Sequence, residues 1–157
     1  MTLLFETAFG QMALTEEDGA LVRLLLPGSS MPDCVSGETP LLVKGRDEIL
    51  EYLAGVRLEF SLPLNARGTP FQKSVWQALN DIPYGHTRSY RDIACAVDCP
   101  RGYRAVGMAN HCNPLPILIP CHRVIASNGD LGGYGGGLEL KQALLALEGR
   151  TLSEEES

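Results

Sequence analysis

A short apolar segment between two prolines, followed at once by a cysteine and a histidine, constrains this chain more than any other stretch of it. The run Pro116–Val124 reads Pro-Ile-Leu-Ile-Pro-Cys-His-Arg-Val. Pro120 fixes its own φ at about −65° and pushes the preceding residue towards extended geometry, so 117–119 is predicted to be a buried β-type segment. The thiol of Cys121 is then held at a fixed backbone position beside the imidazole of His122.

This pattern is typical of a reactive cysteine. A thiolate is the nucleophilic form of the side chain, and a neighbouring cation or hydrogen-bonding group such as His122 or Arg123 raises its population at neutral pH. Most free cysteines in intracellular proteins are instead small buried hydrophobes. The run alone therefore leaves a structural and a catalytic interpretation of Cys121 open.

Helix start signals follow one another in the middle of the chain. Thr69 precedes a proline at the first helical position and a glutamine at the third, which is a capping box, and Ser89 precedes Asp92 in the same way. The second of these helices ends before Pro100, and a third is predicted over about 102–112. Two short helices with a tight turn between them form a helix-turn-helix, whose second helix commonly enters a DNA groove.

The flanking regions have a different pattern. Strands are predicted over 3–9, 11–15 and 20–26, and a helix ended by Gly55 is predicted over 41–53. The stretch 61–68 is interpreted as a linker. A last helix from about Leu138 is predicted to bury three leucines, to end at Gly149 and to leave a frayed tail at 154–157. We expect one compact unit or a small domain beside a larger one.

Charge is distributed unevenly. The chain carries a formal net charge of −6, yet residues 61–125 hold seven Arg or Lys side chains against three Asp or Glu. A basic segment that also carries the candidate cysteine favours an anionic partner. Five cysteines, without paired metal-ligand spacing, argue against a disulfide framework. We expect no metal and no cofactor, although Cys95, Cys99, Cys112 and His111 leave a metal site conceivable. With no basic apolar leader and no long apolar run, a cytoplasmic protein without a membrane segment is expected.

Taken together, the motifs between residues 68 and 149 resemble the C-terminal domain of the O6-alkylguanine-DNA alkyltransferases, the methylated-DNA:protein-cysteine methyltransferases. The matching pieces are Thr69-Pro70-Phe71-Gln72, Val75-Trp76, Ser89-Tyr90, Ile93-Ala94, Arg104-Ala105-Val106-Gly107, Asn113-Pro114, Pro120-Cys121-His122-Arg123-Val124, Gly133-Tyr134-Gly135-Gly136-Gly137, Lys141, Leu144-Leu145 and Glu148-Gly149. Their order and spacing make the resemblance specific.

The resemblance implies an α+β fold in which the N-terminal subdomain is α/β. A small ribonuclease-H-like sheet domain over 1–65 would be followed by a mostly helical, winged-helix-like DNA-binding domain with the helix-turn-helix over 66–152, and by a tail at 153–157. It implies DNA repair by direct reversal: the protein flips O6-alkylguanine out of double-stranded DNA and takes the alkyl group irreversibly, once per chain. We expect a monomer.

Residue roles follow from the same resemblance. Cys121 would accept the alkyl group, His122 would draw its proton through a water, and Glu148 would orient His122. Asn113 would brace the turn that holds the cysteine, and the hydroxyl of Tyr90 would donate to the leaving guanine.

The DNA-binding set implied by the resemblance consists of Arg104, Tyr90, Ala105, Gly107 and Arg123. Of these, Arg104 would fill the space left by the flipped nucleotide. The base pocket would be formed by Tyr134, Gly135, Val124, Pro116 and Lys141, with the main-chain carbonyls of Val124 and Cys121 accepting from the exocyclic amine of guanine. Asn110 stands where some relatives have an apolar pocket residue, which leaves the range of alkyl groups open.

Three other functions remain possible from the sequence. An alkyltransferase-like protein would bind the lesion without transfer, but such proteins have another residue in place of Cys121. A cysteine hydrolase would also use a cysteine, a histidine and an acid. A DNA-binding regulator could combine the helix-turn-helix with a redox-sensing thiol. A hydrolase would turn over and a regulator would protect one DNA sequence, whereas an alkyltransferase would be consumed.

Overall fold

The architecture is mixed, with a small sheet and five α-helices in the described part of the chain. The computed structural model describes residues 1–33, 36–126 and 137–156, with side chains up to residue 151. It separates into two compact units, Met1–Arg67 with Pro114–Leu118, and Gly68–Asn113 with Ile119–Ser157. The boundary at residue 67 lies close to the one expected from sequence, but the assignment of 114–118 to the first unit was not indicated by it.

The first unit is built on a three-stranded antiparallel sheet, formed by β1 (Thr2–Thr7), β2 (Gly10–Glu17) and β3 (Ala20–Leu25) in that order. Asp18 and Gly19 have φ of 51° and 79°, and two consecutive positive φ values are what a tight hairpin turn between β2 and β3 requires. A register shift at Thr15/Glu16 marks a β-bulge. Strand positions agree with the predicted pattern to within two residues.

Helix α1 (Pro40–Leu53) covers this sheet. Thr39 caps it by accepting from the backbone of Leu42. Gly55 follows its end with φ 79°, and the sequence predicted that the helix would end at this glycine. Gly45 is buried on the inner face of the helix, where an added Cβ would lie 2.6 Å from Leu14 Cδ2. Glycine at this position therefore allows the helix to approach the sheet closely.

The stretch 61–68, predicted to be a linker, is instead bound to the first unit. Leu64 forms a parallel bridge with Leu21, whose N–H and carbonyl bond Pro63 and Asn65. The carboxylate of Glu48, only 3 % exposed, accepts from the backbone N–H and the hydroxyl of Ser61. The hydrogen bonds available at the open edge of β3 explain the difference, since an unpaired strand edge is a template for further pairing.

The second unit is mostly helical. Helices α2 (Pro70–Asn80) and α3 (Tyr90–Ala96) both begin with a complete capping box, from Thr69 and Ser89 respectively. Helix α4 (Tyr103–His111) follows a short turn. The three helices pack on one another, and the buried indole of Trp76 donates to the carbonyl of Ala109 at 2.9 Å. The predicted helix starts and the helix-turn-helix are confirmed.

Two short strands and a long helix complete the second unit. Strands β4 (Arg88–Ser89) and β5 (Val124–Ile125) pair in parallel. Helix α5 (Leu138–Glu156) buries Leu140, Leu144 and Leu147 as predicted, but it continues through Gly149, so the predicted stop there is wrong. Gly149 has no positive φ and is exposed, and an exposed glycine costs a helix only about 1 kcal/mol.

No helix in the ranges described is both long and apolar enough to cross a membrane.

Candidate active site

The backbone around Cys121 is fixed by a succession of tight turns. Ile117 and Leu118 form a turn in which Ile117 has φ 72°, so the predicted β-type segment is buried but not a strand. A β-branched residue at such a φ is strained. Pro120, with φ −78° and ψ 66°, then centres an inverse γ-turn that Cys121 N closes by donating to Ile119 O at 2.7 Å.

Asn113 adds a side-chain bond to the same turn. Its Nδ2 donates to Ile119 O at 2.9 Å, and Asn113 is 9 % exposed. The carbonyl of Ile119 thus accepts from Asn113 and from the backbone of Cys121, so that the residue before Pro120 is held on two sides. Cys121 itself is 3 % exposed and begins a single 3₁₀ turn, Cys121–Arg123.

His122 and Glu148 form a buried pair. The two atoms His122 Nε2 and Glu148 Oε2 lie 2.7 Å apart, and both side chains are essentially inaccessible to solvent. Burial lowers the pKa of His122 below its ordinary value, against the opposing influence of the Glu148 carboxylate. The imidazole is therefore neutral at pH 7, with its proton on the nitrogen that faces Glu148, because a carboxylate accepts only. The basic lone pair lies on Nδ1.

Arg123 completes this charge cluster. Its Nε and Nη2 donate to the Glu148 carboxylate at 2.9 Å each, its Nη1 donates to Ile82 O at 2.8 Å, and its guanidinium carbon lies 5.5 Å from the ring centroid of Tyr84. Gly85 N donates to the same carboxylate at 3.1 Å. A guanidinium used in this way is not offered to a phosphate. The predicted DNA contact of Arg123 is therefore not supported by its placement, and we assign it to the positioning of Glu148.

These donors determine the ionisation of Glu148. Burial alone would raise the pKa of the carboxyl, but the hydrogen bonds from His122 and Arg123 outweigh it and lower that pKa from 4.5 to about 2. Glu148 is thus an anion throughout the physiological range. An anion fixed by a permanent cation keeps the imidazole of His122 in one orientation and one tautomer.

A second buried cation lies on α5. Lys141 is fully buried and donates from Nζ to the carbonyl of Val124 at 2.7 Å. Burial lowers its pKa, and the negative charge of a Cys121 thiolate opposes that shift. The electrostatic coupling between Lys141 and Cys121 favours the ionised thiol.

Tyr90 stands at the first position of α3 and is also coupled to the cysteine. Its pKa is raised, mainly by burial and further by the charge of Cys121. The phenol therefore keeps its proton and acts as a hydrogen-bond donor. The ring faces Gly107 on α4, where an added Cβ would lie 3.9 Å from its Cε1.

The outer face of α4 is exposed and cationic at its start. Arg101, Arg104 and Ala105 are exposed, as are the larger apolar side chains of Tyr103 and Met108. Arg91 of α3 lies over the Tyr103 ring, 6.0 Å from its centroid. An exposed surface with arginines and an aromatic ring on two adjacent helices fits an anionic partner.

A family model described as "6-O-methylguanine DNA methyltransferase, DNA binding domain" matches residues 70–150, more than half of the chain. The chain belongs to this family. A Bacillus subtilis protein named "Methylated-DNA--protein-cysteine methyltransferase, constitutive" is 48% identical over 151 residues, which cover 91% of this chain and 92% of that protein. A Mycolicibacterium paratuberculosis protein named "Methylated-DNA--protein-cysteine methyltransferase" is 45% identical over 148 residues, which cover 92% of this chain and 90% of that protein.

A solved structure agrees with these relatives of the methyltransferase family. The crystal structure of Mycobacterium tuberculosis OGT in complex with DNA has a TM-score of 0.89 to this chain at 39% identity, and the match covers 96% of this chain and 93% of that one. The fold similarity therefore extends over the first unit as well as the second.

Some residues predicted for the methyltransferase site cannot be placed. Tyr134 and Gly135 lie outside the described residues. Pro116 is buried and belongs to the first unit, and its place in a base pocket stays a prediction. Within the parts of the chain that are described, no three His, Cys, Asp or Glu side chains form a group that could hold a metal ion.

Other residues at the site were not assigned a role from the sequence. In the loop after α2, Ile82 and Tyr84 contact Arg123, and Gly85 donates to Glu148. Asn110 of α4 donates from Nδ2 to Cys121 O at 3.3 Å. Loop residues that act through backbone atoms leave no side-chain pattern. A role for Asn110 could have been predicted from the sequence, because a polar residue on the inner face of an amphipathic helix requires a hydrogen-bond partner.

Proposed function

We propose that this protein repairs O6-alkylguanine in double-stranded DNA by transferring the alkyl group to Cys121. Transfer from damaged DNA to a protein cysteine is the activity that names its relatives. The single observation that carries the assignment to Cys121 is the buried His122–Glu148–Arg123 cluster, which follows directly from the cysteine in one 3₁₀ turn. It is a proton acceptor with a fixed tautomer next to a thiol.

The proposed reaction balances without a cofactor. Cys121 Sγ gives its proton to His122 and attacks the alkyl carbon, the new S–C bond forms as the C–O6 bond breaks, and the electron pair leaves with guanine. The neutral phenol of Tyr90 donates a hydrogen bond to the developing guanine anion. The proton that His122 took from the thiol ends on the guanine ring, so His122 returns to its neutral form. The S–C bond of the thioether product is stable, because a thiolate is a poor leaving group from an alkyl carbon, so each chain acts once.

Access to the alkyl carbon requires base flipping, because O6 lies inside the duplex. We assign the exposed side of α4 to the DNA, with Arg104 supporting the opened duplex and Ala105 and Gly107 allowing close approach of the helix. The finer features of the fold, a ribonuclease-H-like first domain and a winged-helix-like second domain, belong to the same proposal, as do a monomeric state and a cytoplasmic location.

Restoration of unmodified guanine tests the proposal. A duplex in which O6-methylguanine blocks cutting by a restriction enzyme should become cleavable after incubation with the wild-type protein and stay resistant with Cys121→Ser. Ser keeps the size of the side chain but is a far weaker nucleophile. Tight binding by the wild type without restored cutting would favour the silent lesion binder. Restored cutting of several duplexes per protein chain would indicate a hydrolase, which turns over.

Arg104→Ala should weaken binding to duplex DNA and reduce the slope of log K against log salt by up to about 0.9, because one positive charge at the duplex is lost and fewer counterions are released on binding. We expect Arg150→Ala, which removes an exposed arginine from α5, to leave the slope unchanged. Fluorescence anisotropy over a range of salt concentrations measures both. Equal slopes for Arg104→Ala and the wild type would place the DNA elsewhere.

A further inference from the structure

The chain leaves the second unit for five residues shortly before the reactive cysteine. Pro114–Leu118 belongs to the first unit, whereas the residues on either side of it belong to the second. The two flanking residues are joined by a hydrogen bond from Asn113 Nδ2 to Ile119 O at 2.9 Å. The segment 114–118 is therefore a loop whose two ends are closed within the second unit, and Cys121 follows its return.

This loop is held within the first unit by its backbone and by burial. Leu24 N, on strand β3, donates to Pro114 O at 2.9 Å. The side chains of Leu115, Ile117 and Leu118 are almost inaccessible to solvent. Release of the loop would return three large apolar side chains to water, so hydrophobic free energy keeps it in place.

Ile117 has a backbone conformation that isoleucine avoids. Its φ is 72°, and at positive φ the Cβ atom crowds the backbone, most of all in a β-branched residue. Among the described residues, the other positive φ values outside glycine belong to Asp18 and Asp98, whose side chains are short and polar. Strain of this kind persists only where the surrounding structure enforces it, and it concentrates at active sites. The burial of Ile117, which is 2 % exposed, provides that enforcement.

A change of φ at Ile117 would reach the cysteine. Ile119 lies two residues further on, and its carbonyl accepts from Cys121 N at 2.7 Å and from Asn113 Nδ2. Pro120, which stands between them, cannot take up a change because its ring fixes φ. A different chain path at Ile117 would therefore displace Ile119 O and, with it, the backbone of Cys121.

We propose that Ile117 is a positioning residue for the transfer reaction: its positive φ, held by burial of its side chain in the first unit, places the thiol of Cys121 in line with the alkyl carbon. This inference rests on the proposed function. It gives the first unit a part in the reaction through the path of the backbone. Displacement at carbon depends on alignment, and a misplacement of about 1 Å lowers a rate by up to about a hundredfold.

Transfer from a saturating concentration of duplex containing O6-methylguanine tests the inference. Because each chain acts once, the amplitude counts the folded chains and the rate constant reports transfer. Ile117→Ala removes the anchor and avoids positive φ, so its rate constant should fall about tenfold to a hundredfold. Ile117→Gly loses one carbon more but adopts positive φ freely, and should be at least about threefold faster than Ile117→Ala. Ile117→Val keeps the branching and most of the volume, and should stay within about a factor of two of the wild type.

Ile49→Ala is the matched control, because Ile49 is an equally buried isoleucine of the first unit that lies in α1 without a positive φ. It should lower the stability, and at most the amplitude, and leave the rate constant unchanged. Measuring all variants in trimethylamine N-oxide favours their folded states.

A rate constant of Ile117→Ala equal to that of the wild type would overturn the inference. So would a rate constant of Ile117→Gly below that of Ile117→Ala, the order that lost packing alone requires, or a rate constant that falls equally in Ile49→Ala. Absence of transfer by the wild type would instead refute the proposed function.

Discussion

Glu148→Ala should lower the free energy of unfolding by about 3–5 kcal/mol, the largest loss of stability that we expect from a single substitution in this protein. The change leaves the guanidinium of Arg123 buried without its anion and removes the acceptor of Gly85 N and of His122. Denaturant unfolding followed by circular dichroism measures the effect. Glu139→Ala, at an exposed position of the same helix, should change stability by no more than about 0.5 kcal/mol.

The wild-type protein should also lose stability in acid, because His122 and Glu148 of the same cluster become protonated. The folded-state pKa of Glu148 is about 2 and its ordinary value is 4.5, so its stabilisation, about 3 kcal/mol, is fully present above 4.5 and is lost as pH falls through about 2. The pKa of His122 is lowered as well, from 6.5, so the stability that comes from its neutral form is also present at high pH and lost on acidification.

The free energy of unfolding should therefore decrease in two stages, beginning below about pH 6.5 and again below about 4.5. In Glu148→Gln the second stage should disappear, because the amide does not titrate, while Arg123 stays charged. An identical acid profile in this variant and the wild type would show that the carboxylate is not the group being titrated.

His122→Gln should reduce the rate of methyl transfer by about 10²–10⁴-fold at neutral pH, the usual contribution of a general base. Glutamine can still bond Glu148, so the cluster is preserved while the basic nitrogen is lost. Transfer by the variant should accelerate steeply as pH rises, since hydroxide then ionises Cys121. Single-turnover kinetics with a methylated duplex between about pH 7.5 and 9.5, one unit either side of the ordinary thiol pKa of about 8.5, measures this.

An unaltered rate in His122→Gln would contradict the role of His122 as the base. A variant whose rate and pH profile match those of the wild type would mean that another group, such as the buried ammonium of Lys141, generates the thiolate. A Lys141→Met variant would then show the loss instead.

Local chemistry made the helix starts and the hairpin turns predictable. Thr69 and Ser89 cap helices because a side-chain oxygen satisfies an otherwise unbonded N–H, and this requires no knowledge of the rest of the fold. The pairing of Cys121 with His122 and Glu148 was also expected, but through the family resemblance. The spacing of a histidine at 122 and a glutamate at 148 does not by itself bring them within 2.7 Å.

The features that the sequence did not predict depend on contacts between distant parts of the chain. Ile117 was expected to be extended, yet the turn that enters the cysteine loop places it at φ 72°. Residues 61–68 looked like a linker because the unpaired edge of β3 cannot be recognised in the sequence. Arg123 was expected beside the thiol and at the DNA, and its bonds to Glu148 could not be expected because they depend on the packing of α5.

Intact mass of the protein after incubation with a molar excess of duplex containing a single O6-methylguanine tests the central claim most directly. The account predicts a gain of one methyl group per chain and no more, located on the peptide that carries Cys121, and no gain in Cys121→Ser. A methyl group on any other residue, or repeated conversion of the duplex by a protein of unchanged mass, would contradict it.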